Sequence, residues 1–437
     1  MTPAALQAVA TRDFAVRFGH VRSVAAGLVE ASGPDGVIGE ICTIETDRSA
    51  KAILAEIVAV DEQRVLLTPM DPVAAIPIGA RVVASSFGDT VPVGDGFAGR
   101  AVDPFGRPID GGPDIWPVSR ASAQGAIPEP LSRASPRSVA ITGIRAIDGI
   151  LTLGRGQRIG IIAAGGVGKT SLVEQIAVQT EADRVVLCLV GERGREVEEL
   201  WRTLQAHSDL ERFTIVAATS DESAARRARA PGQALALAEH WRERGEHVLL
   251  LLDSVTRLAM ALREIGLAAG SPPTVRAYTP NVFAVLPRIV ERCGAVAKGG
   301  AITAVMTVLS ETDDADDPIV EVMKSLLDGH IHLSRTIAEQ GQFPAIDIVR
   351  SISRGVETRV AAKHRSAQRA LVAMLAAFED SRVMIESGAY RSGTNEMVDR
   401  AITRRESVLR FLGQPMDQSV RFEDTVRELC AIGGERP

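Results

Sequence analysis

The stretch Ile159-Gly160-Ile161-Ile162-Ala163-Ala164-Gly165-Gly166-Val167-Gly168-Lys169-Thr170, running on into Ser171 to Val178, decides the fold. Ile159 to Ala163 is an apolar, β-rich run, and Ser171 to Val178 reads as a helix. Between them, Ala163 to Thr170 reads as a phosphate-binding P-loop. Its glycines let successive backbone N–H groups turn inward and cradle phosphate oxygens. The helix that opens at Ser171 adds partial positive charge at its N-terminus. Lys169 is the residue to neutralise β- and γ-phosphates, and the Thr170 hydroxyl the one to ligate Mg²⁺. Ala163 stands where the general pattern has glycine, and a small residue fits there if its φ is negative. The bland alternative is a Gly-rich turn ending by chance in Lys-Thr. It gives no reason for a strand before the turn and a helix after it.

Two further segments belong with this loop. Val248 to Asp253 is an apolar run ending in an acid. Asp253 then lies at the C-terminal edge of a parallel strand, where open α/β sheets bind ligands, and would hold Mg²⁺ through a water. Alone such a run is merely a strand end; beside a P-loop it is half of a nucleotide site. The other segment is Gly191-Glu192-Arg193-Gly194-Arg195-Glu196, just past the run Arg184 to Val190. Glu192 could polarise an attacking water and Arg193 could reach a γ-phosphate. On pattern alone, a solvated charged loop explains these residues better.

Outward from this centre, Phe213 to Ala218 and Ile302 to Leu309 also read as strands. Near-continuous apolar runs mean strands buried on both faces, hence a parallel sheet. Upstream, Leu28 to Ala31, Val37 to Ile44, Ala52 to Val60 and Val65 to Thr68 are short β-rich runs broken by turns such as Gly33-Pro34-Asp35-Gly36. They predict a small β-barrel ending near Ser86. Pro92 to Pro113 reads as a linker plus an entry strand. Thr2 to about Ala25 reads as a helix, with Leu6, Val9, Ala10, Phe14 and Phe18 at helical spacing. From about Thr358 the chain is helical. The predicted organisation is an N-terminal partner-docking segment (1–25), a β-barrel (26–88), a RecA-like α/β domain (89–355) and a helical domain (356–437).

Composition narrows the function classes. Of 437 residues, 49 are Lys or Arg and 55 are Asp or Glu, a net charge of −6, which argues against nonspecific nucleic-acid binding. Cys42, Cys188, Cys293 and Cys430 have no CxxC spacing, so buried thiols in a reduced compartment are expected rather than a zinc site. No signal peptide is visible, and no apolar run approaches the roughly 20 residues that span a bilayer. A cytoplasmic protein that meets the membrane only through partners is the expectation. His330 and His332 alternate with Ile331 and Leu333, which predicts a strand with two polar residues on one face rather than a metal site.

Gly-Val-Gly-Lys-Thr, Gly191-Glu192-Arg193, Leu252-Asp253-Ser254-Val255-Thr256-Arg257, Pro272-Pro273, Pro344-Ala345-Ile346-Asp347 and Ser351-Ile352-Ser353-Arg354 together resemble the rotary ATP synthase catalytic-subunit superfamily. Order and spacing hold from about residue 25 onward. Within it, the runs from Arg257 to Leu267, Ser271 to Pro273, Val282 to Pro287, Asp313 to Pro318, Leu327 to Arg335 and Gly388 to Gly393 are most similar to the flagellar type III protein-export ATPases. The resemblance implies that ATP is the substrate and Mg²⁺ its cofactor. It implies Glu192 as the carboxylate that activates water, with Arg193 and Arg257 near the γ-phosphate. It implies Phe343 against the adenine face, and Arg354 as a finger entering the neighbouring subunit's site. A P-loop and a finger on one chain imply a closed homo-oligomeric ring of six chains.

The implied partners are a dimeric regulator at the N-terminus, a central stalk-like export protein, and the export gate, chaperones and export substrates. Three rivals stand beside this reading. The injectisome export ATPase shares nearly all the motifs. A proton-driven ATP synthase catalytic subunit carries an acidic lever that Leu371 to Ser387 lacks. A ring RNA translocase conflicts with the acidic net charge.

Overall fold

The computed structural model describes residues 16–25, 27–46, 52–71, 76–85, 88–116, 119–310 and 317–434. Six strands, Phe18–Ala25 (β1), Leu28–Ala31 (β2), Ile41–Glu45 (β3), Ile53–Val60 (β4), Val65–Pro69 (β5) and Arg81–Ala84 (β6), close into an antiparallel barrel in the order β1-β2-β5-β4-β3-β6. Alternation builds it. β4 buries Ile53, Ala55 and Ile57 against Val29, Ile44, Leu67 and Val82 and turns the residues between them outward.

One expectation is corrected here. The helix predicted from Thr2 to about Ala25 cannot include Phe18–Ala25, which is β1 and pairs with both β2 and β6. Ladder hydrogen bonds on two sides outweigh a helical spacing of apolar residues that ended at Phe18. The barrel therefore begins inside the segment assigned to partner docking. The rest of that helix reading, Thr2 to Ala15, lies outside the described residues.

The remaining strands are Thr90–Val93 (β7), Arg100–Val102 (β8), Ser119–Ser122 (β9), Arg133–Ala134 (β10), Arg158–Ala163 (β11), Arg184–Val190 (β12), Phe213–Ala218 (β13), His247–Asp253 (β14), Gly294–Val296 (β15), Ala301–Leu309 (β16), Gly329–Leu333 (β17) and Ile346–Ser353 (β18). The main sheet runs β18-β17-β11-β16-β14-β12-β13-β8, parallel except for β18. The helices are Arg145–Ile150 (α1), Lys169–Gln179 (α2), Gly194–Gln205 (α3), Ala224–Glu243 (α4), Val255–Ala268 (α5), Pro280–Arg292 (α6), Pro318–Leu326 (α7), Arg335–Glu339 (α8), Ala362–Glu386 (α9), Glu396–Leu412 (α10) and Phe422–Gly433 (α11).

Because the sheet is mostly parallel, helices cover both faces, and its central strands β12, β13, β14 and β16 are almost wholly buried. Trp241 of α4, Leu258 of α5 and Val282 of α6 pack on one face with Leu250 and Ile302. On the other, Leu172 and Ile176 of α2 join Ile147 of α1, Leu371 of α9, Phe411 of α10 and Leu429 of α11 in one core. The C-terminal helices thus share the core of the sheet domain. All four cysteines are buried and free. Among the described residues no helix is long and apolar enough to cross a membrane, and no group of three His, Cys, Asp or Glu side chains could hold a metal.

Candidate active site

β11 ends at Ala163, and the chain turns through Ala164–Gly168 into α2, whose first residue is Lys169. The helix opens two residues earlier than its spacing suggested. Gly166 and Gly168 have φ of +80° and +88°, a region that only glycine occupies without strain. Ala163 is a buried strand residue with negative φ, so the missing glycine there costs nothing.

Parallel topology brings the acids to this loop. β14 lies one strand beyond β16, and its last residue, Asp253, faces the first turn of α2. The Lys169 ammonium donates a short hydrogen bond to Asp253 Oδ1. Lys169 Nζ also lies 3.6 Å from Glu192 Oε1. Glu192 follows β12 through Gly191, whose N–H donates to Ala218 O at 2.7 Å. Arg257, in the first turn of α5, brings its Nε to 3.3 Å from the same Glu192 oxygen. Gly191 is required here, since a Cβ on it would lie 2.9 Å from Arg257 Cδ. Glu192 and Asp253 are 8% and 4% exposed, so two carboxylates meet the Lys169 ammonium almost out of water, with the partly exposed Arg257 at their edge.

This crowding sets the protonation of Glu192. Burial pushes its carboxyl up to about 7, helped by the Asp253 charge and by the hydrogen bond its protonated form donates to Glu196, against the pull of Lys169 and Arg257. Glu192 Oε1 accepts no hydrogen bond, only the two ion pairs.

Thr307, which the sequence reading missed, completes the site. Its hydroxyl donates to Asp253 Oδ1 at 2.6 Å. β14 and β16 pair Leu252 with Met306, so the next step along both strands sets Asp253 beside Thr307. A polar residue inside the apolar run Ile302 to Leu309 was the available signal.

Of the other expected residues, Thr170 is exposed and Ser171 half-buried on the first turn of α2. Arg193 is not drawn in: it is exposed and, among the described residues, pairs with Glu196 alone, at 3.9 Å. Phe343 reaches the loop from the opposite side. A Cβ on Gly168 would lie 3.3 Å from Phe343 Cε1, so the ring rests over the P-loop. The ring is half exposed and borders a cleft of about 500 Å³ that includes Gln340, Leu409 and Pro415. Gln414 N–H donates to Phe343 O at 2.8 Å, tying this wall to the end of α10.

Arg354 lies far from the cluster, for a topological reason. Leu333 pairs with Ile346 and Gly329 with Ser353, so β18 runs from the P-loop edge of the sheet to the opposite edge. Phe343 precedes one end of this strand and Arg354 follows the other. Arg354 N–H donates to Asp328 O at 3.0 Å, and Asp328 N–H to Arg158 O at 2.8 Å, at the start of β11. The length of β11, roughly 16 Å at ~3.3 Å per residue, separates Arg354 from its own P-loop. Its side chain is exposed.

His330 and His332 share one face of β17, as their spacing predicted, and line a cleft with Lys324 and Arg350.

Known proteins match this chain in both sequence and fold. Residues 143–353 match the ATP synthase alpha/beta family, nucleotide-binding domain, and residues 360–431 the type III secretion EscN ATPase C-terminal domain. The flagellum-specific ATP synthase of Bacillus subtilis is 41% identical over 434 residues, 99% of each chain. The type 3 secretion system ATPase of Xanthomonas euvesicatoria is 40% identical over 97% of this chain and 96% of its own. The assembled ATPase EscN of enteropathogenic E. coli superposes with a TM-score of 0.90 at 37% identity, covering 95% of this chain and all of that one. A P-loop backed by a buried acid, on a sheet shared with these relatives over nearly the whole chain, makes this an ATP-hydrolysing enzyme: the chain belongs to the ATP synthase alpha/beta family, among its flagellum-specific and type III secretion ATPases.

Proposed function

We propose that this chain hydrolyses ATP to energise or prime protein export through a flagellar type III apparatus, working as a homohexameric ring. The observation that carries the hydrolytic reading is the convergence of Lys169, Glu192, Asp253 and Arg257 beside the P-loop. Backbone N–H groups of Gly165–Gly168 and the α2 N-terminus bind the β- and γ-phosphates, and Lys169 exchanges its carboxylate partners for phosphate oxygens. Glu192, ionised, takes the proton of the attacking water. Arg257 holds Glu192 in place and offers positive charge toward the γ-phosphate.

Mg²⁺ fits these residues. An exposed Thr170 hydroxyl and the Asp253 carboxylate are hard oxygen donors, and Mg²⁺ is bound by one or two such groups plus substrate phosphates. Thr170 would ligate it, Asp253 would act through a water, and Thr307 would orient Asp253. When bound, the ion neutralises phosphate charge.

The ring reading is supported by β18, since Phe343 precedes one end of this strand and Arg354 follows the other. Arg354 is the finger that completes a neighbour's site. An assembled EscN, and EscN with its central stalk EscO, exist among the relatives, which supports a ring around a stalk-like partner here. A regulator dimer would hold residues 2–15, tethering the enzyme to the membrane apparatus.

The injectisome is the second reading, favoured by relatives of equal identity in secretion systems. Loss of flagella in a deletion strain supports the first, and loss of effector secretion the second. For the chemistry, Lys169→Ala should abolish nucleotide binding. Glu192→Gln should bind normally and turn over slower by roughly 10²–10⁴-fold. Parental turnover in Glu192→Gln would remove Glu192 from its role.

A further inference from the structure

A cleft of about 340 Å³ lies between the barrel and the sheet domain, away from the P-loop. Its walls are apolar: Ile57 of β4, Leu262 and Ile265 of α5, and Val285 of α6. Five charged side chains also line it, Glu56, Asp89, Arg229, Arg288 and Arg292, and of these Arg229 and Glu56 face each other without a hydrogen bond. Arg229 of α4 is 7% exposed, and among the described residues its guanidinium donates no hydrogen bond. Its guanidinium stacks on Phe105 at 5.1 Å from the ring centre and comes no nearer than 3.9 Å to Glu56 Oε2 of β4. That gap is too wide for a hydrogen bond. Among the described residues Glu56 has no other side-chain partner; it lines the cleft with 27% of its side chain exposed. Nearby Arg226 differs: it reaches Glu222 at 3.1 Å, Asp71 at 3.6 Å and Asp103 at 3.7 Å. A buried guanidinium with a vacant donor is costly, and a ligand that supplies the acceptor recovers that cost.

We propose that this cleft is a binding site for a small, mainly apolar carboxylic acid, whose carboxylate accepts from Arg229 while its chain lies against Ile57, Leu262, Ile265 and Val285. A cation is excluded by Arg229, and a neutral apolar molecule would leave the guanidinium without its acceptor. The ligand carboxylate balances Arg229, and Glu56 joins as a neutral acid that donates its proton to the second ligand oxygen. Burial raises Glu56 to about 7, and nearby Asp89 adds to it, while Arg229 opposes. The other charges facing Glu56 are already engaged. Arg292 of α6 is locked to Glu239 at 2.8 Å, Arg288 reaches Gln124, and Asp89 accepts from the Ser122 hydroxyl at 2.6 Å. Occupancy would also tie the barrel to α5, whose first turn carries Arg257, so it is a route by which a metabolite could act on the hydrolytic site. The proposal stands whether or not the export reading does.

Calorimetric titration of the full chain with octanoate, octanol and octylamine tests it. At pH 6.5 octanoate should bind, octanol at least tenfold more weakly, and octylamine not at all. Octanoate affinity should fall about tenfold between pH 6.5 and pH 8.5 as Glu56 ionises, and Glu56→Gln should remove that fall. Arg229→Gln should weaken octanoate at least tenfold. Equal affinity for octanoate and octanol, no octanoate binding at millimolar concentration, or unaltered binding by Arg229→Gln would each overturn the proposal. If Arg229→Gln does not fold, the comparison of the three probes on the parent chain still decides.

Discussion

Glu192 is the residue whose environment most constrains the chemistry. A general base must be ionised, and burial holds this one near 7. Its base form is therefore gained as pH rises through about 7, so kcat/KM should climb between pH 6 and pH 8 and then level. A flat profile over that range would remove Glu192 as the base. Phe343 allows a cleaner separation of binding from chemistry. Its ring is half exposed over Gly168, so it contributes little to the core. Phe343→Ala should raise the KM for ATP, at a cost of about 1–3 kcal/mol as for base–aromatic stacking, with kcat little changed. An unchanged KM with a lowered melting temperature would make the ring a structural one. At this scale the sequence was informative where function is local. Lys169 and Thr170 could be read from adjacent glycines, whereas Thr307 could be placed only once β14 and β16 were in register.

At the scale of elements, β14 is held at both ends by polar contacts inside an apolar sheet. Asp253 ends it in the site, and His247 begins it. His247 N–H donates to Asp183 at 2.7 Å. Thr303 Oγ1 accepts from Gly156 N–H at 2.8 Å and lies 2.8 Å from His247 Nε2, to which its hydroxyl donates when the ring is neutral. Glu181 O can only accept, so His247 Nδ1–H donates to it at 3.1 Å, and the neutral ring keeps Nε2 as its acceptor. Burial, with Arg155 nearby, lowers its pKa from 6.5 to about 4. The sign follows: between those values the unfolded chain takes up a proton that the folded chain refuses, so this contribution is lost as pH falls below 6.5. The stability advantage of the parent over His247→Gln should shrink by about 2 kcal/mol from pH 7 to pH 5. Denaturant melts of both proteins at the two pH values measure it, and a pH-independent difference would mean a charged ring in the fold. Strands such as β12 and β14 were legible because burial on both faces leaves an unbroken apolar run. β1, β6 and β18 were not, because their sequences are mixed and they are strands by virtue of their neighbours.

For the whole molecule, the two ends of β18 set the decisive test. Because Arg354 cannot reach its own P-loop, specific activity should rise with protein concentration as rings form. Mixing Arg354→Ala with Lys169→Ala, each inactive alone, should restore part of the activity, since one junction type pairs an intact P-loop with an intact finger. Constant specific activity on dilution, with no recovery on mixing, would put the whole site within one chain.

The sequence by itself determined the phosphate loop, the acid at the end of β14, the parallel sheet and the order of barrel, sheet and helices. Each is written in contiguous residues, as turn chemistry or as side-chain periodicity, and needs no knowledge of what lies across the fold. Only the tertiary structure decided that Phe18–Ala25 closes the barrel, that Arg193 stays outside the charged cluster, that Thr307 holds Asp253, and that Arg229 and Glu56 face one cleft unbonded. Those outcomes depend on strand register and on which surfaces meet between residues distant in the chain, and such contacts leave no period in it.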